Sequence, residues 1–485
     1  MHDSVTRRDV LAVPEGDSRR LAIGWLLLGM GALIASGLLS VLLVLSRTPF
    51  IQDVIPLVDF FHTALVVHVD LSVLIWFLAF AGVVWSLTSG ARLAGWGWLA
   101  LGLSALGTVM IALAPFTGDS KPIMNNYVPV LESRWFFAGL GVFALGVALL
   151  VARTLAVGLP RQLGGNGMAG IRVGVYAAAV LTLLAMLAVI WSYRGLPDTL
   201  SGETFYEFLF WGGGHTLQLT YTLLVLAVWW LLGEASGVRF RVSPRWAIIV
   251  FALAASPGIA VPVIYLRHEV FSPDHLVAFT RLMEYGGLLS LPLGLLLVVG
   301  VLCAGKAPAD CRPVRASLIC SLALFGAGGV LGFMIQGANV VIPAHYHGSI
   351  VGVTLALMGF TYHLLPRLGF RHPKTGLACV QPYVYAAGQL LHITGLAWCG
   401  GYGVQRKTAG SAQGLENFPE IAGMAMMGLG GLVAIIGGLL FLVVVIRAMW
   451  PSRGALLQPA SGRLGQRPLG GRKPFTGQTI PGAGR

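Results

Sequence analysis

The sequence predicts an all-α protein that crosses a membrane many times. Of its 485 residues, 56% are hydrophobic and only 11% are charged, which is too little charge to cover a soluble globule of this size. The apolar runs are each about 20 residues long, which suits helices that cross a bilayer and is too long for the strands of a membrane barrel. The expected fold is therefore a polytopic helical bundle.

Apolar runs between charged or turn-rich segments predict twelve membrane helices within one domain, residues 21–450. The predicted spans are 21–46, 57–88, 94–115, 134–157, 170–194, 206–232, 245–267, 278–302, 314–336, 342–366, 379–402 and 421–449. The charged segment 1–20 lacks the short apolar core of a cleaved signal peptide, so we expect the first span to anchor the mature protein.

The net charge of +13 is explained by topology rather than by nucleic-acid binding. Residues 451–485 carry basic but no acidic side chains in a Gly/Pro-rich setting, which predicts a flexible cytoplasmic tail. If both termini are inside, the inner loops are rich in Arg and Lys and most loop acids fall outside, as the positive-inside rule requires. We therefore expect a multi-pass protein of a bacterial cytoplasmic membrane.

The five cysteines show neither C-x-x-C spacing nor the C-x-x-C-H motif that attaches a c-type haem. A c-type haem would therefore have to lie on another subunit.

Five histidines are predicted to share one depth in the outer half of the bilayer. His68 lies in the second span, His215 in the sixth, His268 at the end of the seventh, and His345 and His347 at the start of the tenth. Two residues along a helix correspond to about 200° of rotation, so the last two must point to opposite sides and could serve two separate irons. Interfacial histidines that only satisfy hydrogen bonds would give the same pair, so the other spans must decide.

With these residues, the chain resembles the catalytic subunit of the haem-copper oxidase superfamily, which includes oxygen reductases and nitric oxide reductases. The resemblance covers about residues 20–450, and Ala344-His345-Tyr346-His347 matches the family's His-x-His on helix ten. It implies that His345 is the axial ligand of a high-spin, b-type haem and that His347 binds a low-spin haem b. The second low-spin ligand is expected from helix two, with His68 preferred and His62 as the alternative.

The resemblance also implies a second metal near helix six. Trp211-Gly212-Gly213-Gly214-His215 looks like the family's approach to that metal, with glycines leaving space for a haem face or a diatomic ligand; helix packing is the alternative. Where the family shows adjacent histidines on helix seven, this chain has His268 and Glu269. The implied metal-binding and catalytic set is His215, His268 and Glu269, unless Glu269 is an interfacial acid paired with Arg267.

Departures from the family pattern favour nitric oxide as substrate. The overall reaction would be 2 NO + 2 e⁻ + 2 H⁺ → N₂O + H₂O. A carboxylate ligand favours non-haem iron over copper. Leu219 stands four residues after His215, where oxygen reductases of the main type carry a tyrosine and known nitric oxide reductases often carry a glutamate. A divergent oxygen reductase with copper is the alternative, and Tyr265 or Tyr285 could supply its tyrosine.

Arg406 and Lys407 precede the twelfth span and are expected partners of the anionic haem propionates, although solvated loop cations would look the same. Electrons are expected from a partner subunit carrying haem c or copper, or from quinol.

Proton routes are predicted only weakly. An outer route would use Glu203, Glu207, Asp274 and His275, and an inner one Glu284 and Tyr285. Three histidines are interpreted as structural, being too far inward or on loops: His363, His372 and His392. A twelve-span transporter with histidines in proton relay is the alternative outside redox chemistry.

Overall fold

The computed structural model describes residues 13–51, 58–118, 120–160, 163 and 167–450. It confirms the all-α membrane fold, because eleven of the described helices are long and apolar enough to cross a bilayer. Thr375–Gly401 forms a further helix of 27 residues that is less apolar. In chain order we number these helices α1 Asp17–Leu45, α2 Phe60–Ser89, α3 Ala94–Phe116, α4 Arg134–Val157, α5 Gly167–Gly195, α6 Gly202–Ala235, α7 Pro244–Arg267, α8 Pro273–Leu302, α9 Ala309–Phe333, α10 Val341–Arg367, α11 Thr375–Gly401 and α12 Phe418–Met449.

The helix ends agree with the predicted spans to within five residues. The largest differences are at the starts of α8 and α9. Ser272 explains the first, because its hydroxyl caps the helix by accepting from the backbone N–H of His275 and Pro273 follows at the first helical position. The predicted tail at 451–485 and residues 1–12 lie outside the described residues.

The three most buried candidate spans are α10, α6 and α2, with 89%, 78% and 67% of their apolar windows buried. These helices carry His345 and His347, His215, and His68. They form the centre of the bundle, so most of the predicted site residues lie on interior helices rather than on helices that face lipid.

Small residues bring neighbouring helices together around that centre. Gly328 of α9 faces Gly348 of α10, where an added Cβ would lie 2.5 Å from the Cα of Gly328. Gly395 of α11 approaches Met427 of α12 in the same way. Membrane helices gain contact area by such close approach.

Two of the helices are locally widened. A π-helical turn, Asp70–Ile75, follows His68 within α2. Another, Leu282–Gly286, lies within α8 and continues into a 3₁₀ turn, Gly287–Ser290. Such turns often mark functional positions.

An antiparallel hairpin connects α3 to α4. Strands β1, Lys121–Ile123, and β2, Val130–Glu132, pair with Ile123 opposite Val130. Their loop contains Tyr127, whose φ of 67° is unusual for a residue with a side chain. The hairpin therefore presents a fixed loop to the adjoining end of α6.

Candidate functional site

The first cluster surrounds His347 on α10. Its ring centroid lies 4.9 Å from that of His392 on α11, and it is within electrostatic range of His68 on α2. Three helices thus bring imidazoles together. The interpretation of His392 as a residue outside this layer is wrong, because its ring lies beside that of His347.

His68 is oriented by α1. Its Nδ1 lies 3.0 Å from the carbonyl oxygen of Ser36 and 2.9 Å from the hydroxyl of that residue. A carbonyl only accepts, so Nδ1 carries the proton in this contact and Nε2 remains as the acceptor side of the ring. His62, the alternative, instead has its Nε2 3.0 Å from the backbone oxygen of Lys407, so this nitrogen is already engaged with protein.

The surroundings of His68 and His347 fit a bound group. His68 and His347 are each only partly buried, so the protein leaves part of each residue accessible. Arg47 of the α1–α2 connection is within electrostatic range of His347, and its buried Nη2 has no hydrogen-bond partner among the described residues. Burial lowers the pKa of Arg47. Two imidazoles and a buried guanidinium with an unpartnered nitrogen are a donor set suited to an anionic haem.

His345 points to the other side of α10. Its Nδ1 lies 2.8 Å from the carbonyl oxygen of Gly328 on α9. A side chain at Gly332 would collide with the His345 ring, because an added Cβ would lie 2.8 Å from Nδ1. The two histidines of the His-x-His pair therefore face different helices, and Nε2 of His345 is again the unprotonated nitrogen.

His215 differs from these histidines because both of its ring nitrogens are engaged. Nδ1 donates to the carbonyl oxygen of Trp211 at 2.7 Å, so Nε2 accepts from the hydroxyl of Tyr127 at 2.9 Å. The side chain is 3% exposed. Tyr127 was not among the predicted site residues, because the local sequence Asn125–Leu131 contains no motif that indicates a functional role.

The three glycines before His215 make room for protein side chains. An added Cβ would collide with Tyr265 at Gly212, with Val189 at Gly213 and with the Tyr127 ring at Gly214. The space beside these glycines is therefore filled by protein side chains rather than left for a haem face or a diatomic ligand. This supports helix packing as their role.

The predicted set of His215, His268 and Glu269 does not assemble. Helix α7 ends at Arg267, and His268 is extended with φ −126° and ψ 134°. Glu269 is therefore exposed and His268 partly buried, while Val270 packs in the core. Within the described part of the chain, no three His, Cys, Asp or Glu side chains lie close enough to hold a metal ion. The residues present do not fit a second metal at that place.

His275 occupies the interior position that Glu269 does not. It is fully buried, and neither ring nitrogen has a hydrogen-bond partner among the residues described. Its ring centroid lies 4.9 Å from that of Tyr265 and 5.0 Å from that of Phe279, and it is within electrostatic range of His215 and His268. The Ser-Pro start of α8 turns it inward.

Of the two predicted tyrosine candidates, one has its hydroxyl engaged by protein and the other is exposed. Tyr265 has its hydroxyl 2.8 Å from that of Ser192 and donates to the backbone oxygen of Ala188. Tyr285 is 65% exposed and Glu284 is exposed as well. The predicted inner proton route through Glu284 and Tyr285 is therefore wrong, because both lie on the outer surface of the bundle.

Arg406 and Lys407 fasten the hairpin loop. Arg406 donates to the side-chain oxygen of Asn126 at 3.1 Å, and Lys407 donates to the backbone oxygen of Met124 and lies 4.0 Å from the carboxylate of Glu203. Burial, and next the charge of Arg406, lower the pKa of Lys407. Asn126 in turn donates to Glu207 from its backbone and side chain. Protein groups thus occupy both cations in this structure.

Comparisons with known proteins agree with this architecture. Residues 20–440 match the family described as cytochrome c and quinol oxidase polypeptide I. An uncharacterized protein of Rickettsia prowazekii is 30% identical, over 90% of this chain and 98% of its own length. An uncharacterized protein of Aquifex aeolicus is 26% identical, over 71% of this chain and 85% of its own length. A heme-copper terminal oxidase dimer solved by cryo-electron microscopy has the same fold, with a TM-score of 0.67 and 16% identity over 90% of this chain and 85% of that chain.

The fold and the paired histidines define the class: a polytopic membrane protein whose central helices can hold haem. More particularly, the chain belongs to the cytochrome c and quinol oxidase polypeptide I family, the subunit I superfamily of the haem-copper oxidases. Members of this family are haem-binding membrane oxidoreductases, so this chain is a multi-pass oxidoreductase rather than a transporter without a redox centre.

Proposed function

We propose that this chain is the catalytic subunit of a membrane reductase that takes electrons from a partner and reduces nitric oxide. The observation that carries the proposal is the arrangement of His345 and His347 on opposite faces of α10, with separate partners on α9 and α11. His68 and His347 would hold the low-spin haem b, and His345 the high-spin b-type haem. When bound, the haems supply electron transfer and a place for the gas to bind.

The protein's contribution is to orient the imidazoles. The bonds from His68 to Ser36 and from His345 to Gly328 fix each ring and leave Nε2 deprotonated for an iron. Arg47 would neutralise an anionic edge of the low-spin haem. Arg406 and Lys407 could bind haem propionates only if they also kept, or gave up, their contacts with Asn126, Met124 and Glu203.

Nitric oxide as substrate is supported by Leu219. Leu219 is 3% exposed. It stands where the oxygen reductases that this chain resembles carry a tyrosine, so this turn of α6 provides no phenol. Glu207 lies about two turns before His215 on α6 and is held by Asn126. Its carboxylate is the proposed outer-side group that passes protons toward the site.

Oxygen is the second candidate substrate, and Tyr127 favours it. The Tyr127 hydroxyl donates to Nε2 of His215, which gives the site a phenol from a loop instead of from α6. An oxygen reductase would need such a group as a local donor of a proton and an electron.

The electron donor and the location follow from the same proposal. Because the chain has no C-x-x-C-H motif, the donor would be a subunit with haem c or copper, or quinol. The excess of basic residues in alternate loops supports a bacterial cytoplasmic membrane with both termini inside.

The test is turnover of both gases by one haem-loaded preparation, with Tyr127→Phe and, as control, Tyr206→Phe, whose ring stacks on Phe137 away from His215. For a nitric oxide reductase we expect N₂O formation that survives Tyr127→Phe to within about threefold. Oxygen consumption that falls about 100-fold in Tyr127→Phe alone would establish the second candidate. Haem-loaded protein that consumes neither gas with a chemical reductant would refute both.

A further inference from the structure

One buried histidine beside the proposed low-spin haem site, His392 on α11, is neither of its two ligands. It is 7% exposed, and its ring centroid lies 4.9 Å from that of His347 with the two ring planes at 62°. Ionisable side chains inside membrane spans usually serve a function. The position of this ring, directly against a proposed axial ligand, indicates which function that is.

Helix α12 fixes the hydrogen-bonding state of His392. Its Nδ1 lies 2.9 Å from the backbone oxygen of Met427. A carbonyl only accepts, so Nδ1 carries the proton of the neutral ring and Nε2 is left as an acceptor. The α12 backbone comes this close because it carries glycine here, and an added Cβ at Gly431 would lie 3.3 Å from Nδ1 of His392.

His347 differs from the other two proposed haem ligands in its outer contacts. His68 and His345 each direct Nδ1 to a backbone carbonyl on a neighbouring helix. Within the described part of the chain no carbonyl does the same for His347, whose ring meets the rings of Tyr346 and His392. A metal-bound imidazole almost always donates its other N–H to an acceptor. An acceptor for His347 is therefore still required.

We propose that His392 is a positioning residue for the low-spin haem, and that its Nε2 accepts a hydrogen bond from Nδ1–H of His347 when Nε2 of His347 binds iron. Since this assignment takes His347 as an axial ligand, it rests on the proposed function. Arg47, which is also within electrostatic range of His347, has only donor groups and cannot take this place.

The spacing of the two rings suits this bond. An N–H···N hydrogen bond of about 3 Å between two imidazoles places their ring centroids about 5 Å apart. At the observed 4.9 Å, the bond forms by rotation of the His347 side chain, and α10 and α11 need not move together. The Met427 carbonyl meanwhile keeps the His392 ring in place.

The contact has an electronic consequence as well as a steric one. An acceptor at Nδ1 raises the basicity of the ligand nitrogen, which stabilises ferric iron more than ferrous iron. We therefore expect His392 to lower the reduction potential of the low-spin haem, which makes that haem a stronger electron donor.

Spectroelectrochemical titration of the purified, haem-loaded chain tests the contact. His392→Phe and His392→Leu remove the acceptor and leave both proposed axial ligands in place. We expect each variant to keep the low-spin haem and to weaken its preference for the ferric state about tenfold, a rise of about 59 mV for one electron. His392→Gln offers an amide oxygen as acceptor and should stay within about threefold of the wild type.

The matched control is Tyr346→Phe, because the Tyr346 ring also contacts His347, and it should leave the potential unchanged. Haem retained by His392→Gln but lost from the Phe and Leu variants would show the same need for an acceptor. An unchanged potential in both of those variants, an equal rise in His392→Gln or Tyr346→Phe, or loss of haem from all three His392 variants would overturn the assignment. A wild-type chain without low-spin haem would refute the proposed function, and this assignment with it.

Discussion

Two histidine regions of this protein stand in contrast. Around α10, His68 and His345 each use Nδ1 on a backbone carbonyl and leave Nε2 for another partner. Around α6, both nitrogens of His215 are engaged by Trp211 and Tyr127. The first region leaves an imidazole nitrogen of each ring for the proposed haems, and the second is closed by the protein's own side chains. A shared depth in the bilayer thus does not give histidines a shared role.

The largest effect should follow removal of His347. We predict that His347→Ala loses the low-spin haem, because one of the two proposed axial ligands is deleted and His392 is held by a bond from its Nδ1 to the backbone oxygen of Met427. Haem content and the low-spin absorption bands measure this.

The matched control is His62→Ala, which should keep both haems, since His62 contacts the backbone of Lys407. Loss of low-spin haem in His62→Ala with retention in His68→Ala would reverse the assignment on α2.

Two glycine substitutions test whether side chains fill the region around His215. Gly214→Ala should lower the free energy of unfolding by about 1–3 kcal/mol, because the new methyl group collides with the Tyr127 ring. Gly287→Ala, on open helix surface, should not. Thermal unfolding in one detergent measures both, and equal melting temperatures would show that Tyr127 does not pack against α6.

A smaller effect is expected at the hydroxyl of Ser36. Ser36→Ala removes the Oγ contact to His68 but keeps the carbonyl oxygen that accepts from Nδ1. We predict less than about a tenfold loss of haem affinity, the lower end of what outer partners of a metal ligand contribute. Ser40→Ala, whose hydroxyl bonds only within its own turn, is the control, and a complete loss of haem in Ser36→Ala would show that the carbonyl does not hold the ring.

The smallest effect is expected at Glu269. Because this side chain is exposed, Glu269→Gln should change stability by no more than about 0.5 kcal/mol and leave gas turnover within about twofold. Abolished turnover with both haems retained would restore Glu269 as a ligand.

The helical bundle could be predicted because hydrophobic length alone determines membrane spans. The helix that is weakest by hydropathy, α11, was still predicted at 379–402, since its polar residues are spread along an otherwise apolar run. The opposite directions of His345 and His347 also follow from helical rotation, which needs no tertiary information.

The second metal set could not be predicted correctly, because it depended on where α7 ends. A one-residue change from helix to extended chain at His268 turns Glu269 outward, and the capped start of α8 turns His275 inward. Tyr127 is positioned by the hairpin loop, which is held by contacts with Arg406 and Glu207. These contacts join residues that are distant in sequence. Such long-range contacts leave no local pattern.

Counting and classifying the haems of the purified chain tests the central contrast most directly. Pyridine haemochrome analysis with low-temperature electron paramagnetic resonance should give two b-type haems per polypeptide, one six-coordinate and low-spin and one high-spin. A single haem, two low-spin haems or no haem at all would contradict the assignment of two separate sites to the two faces of α10.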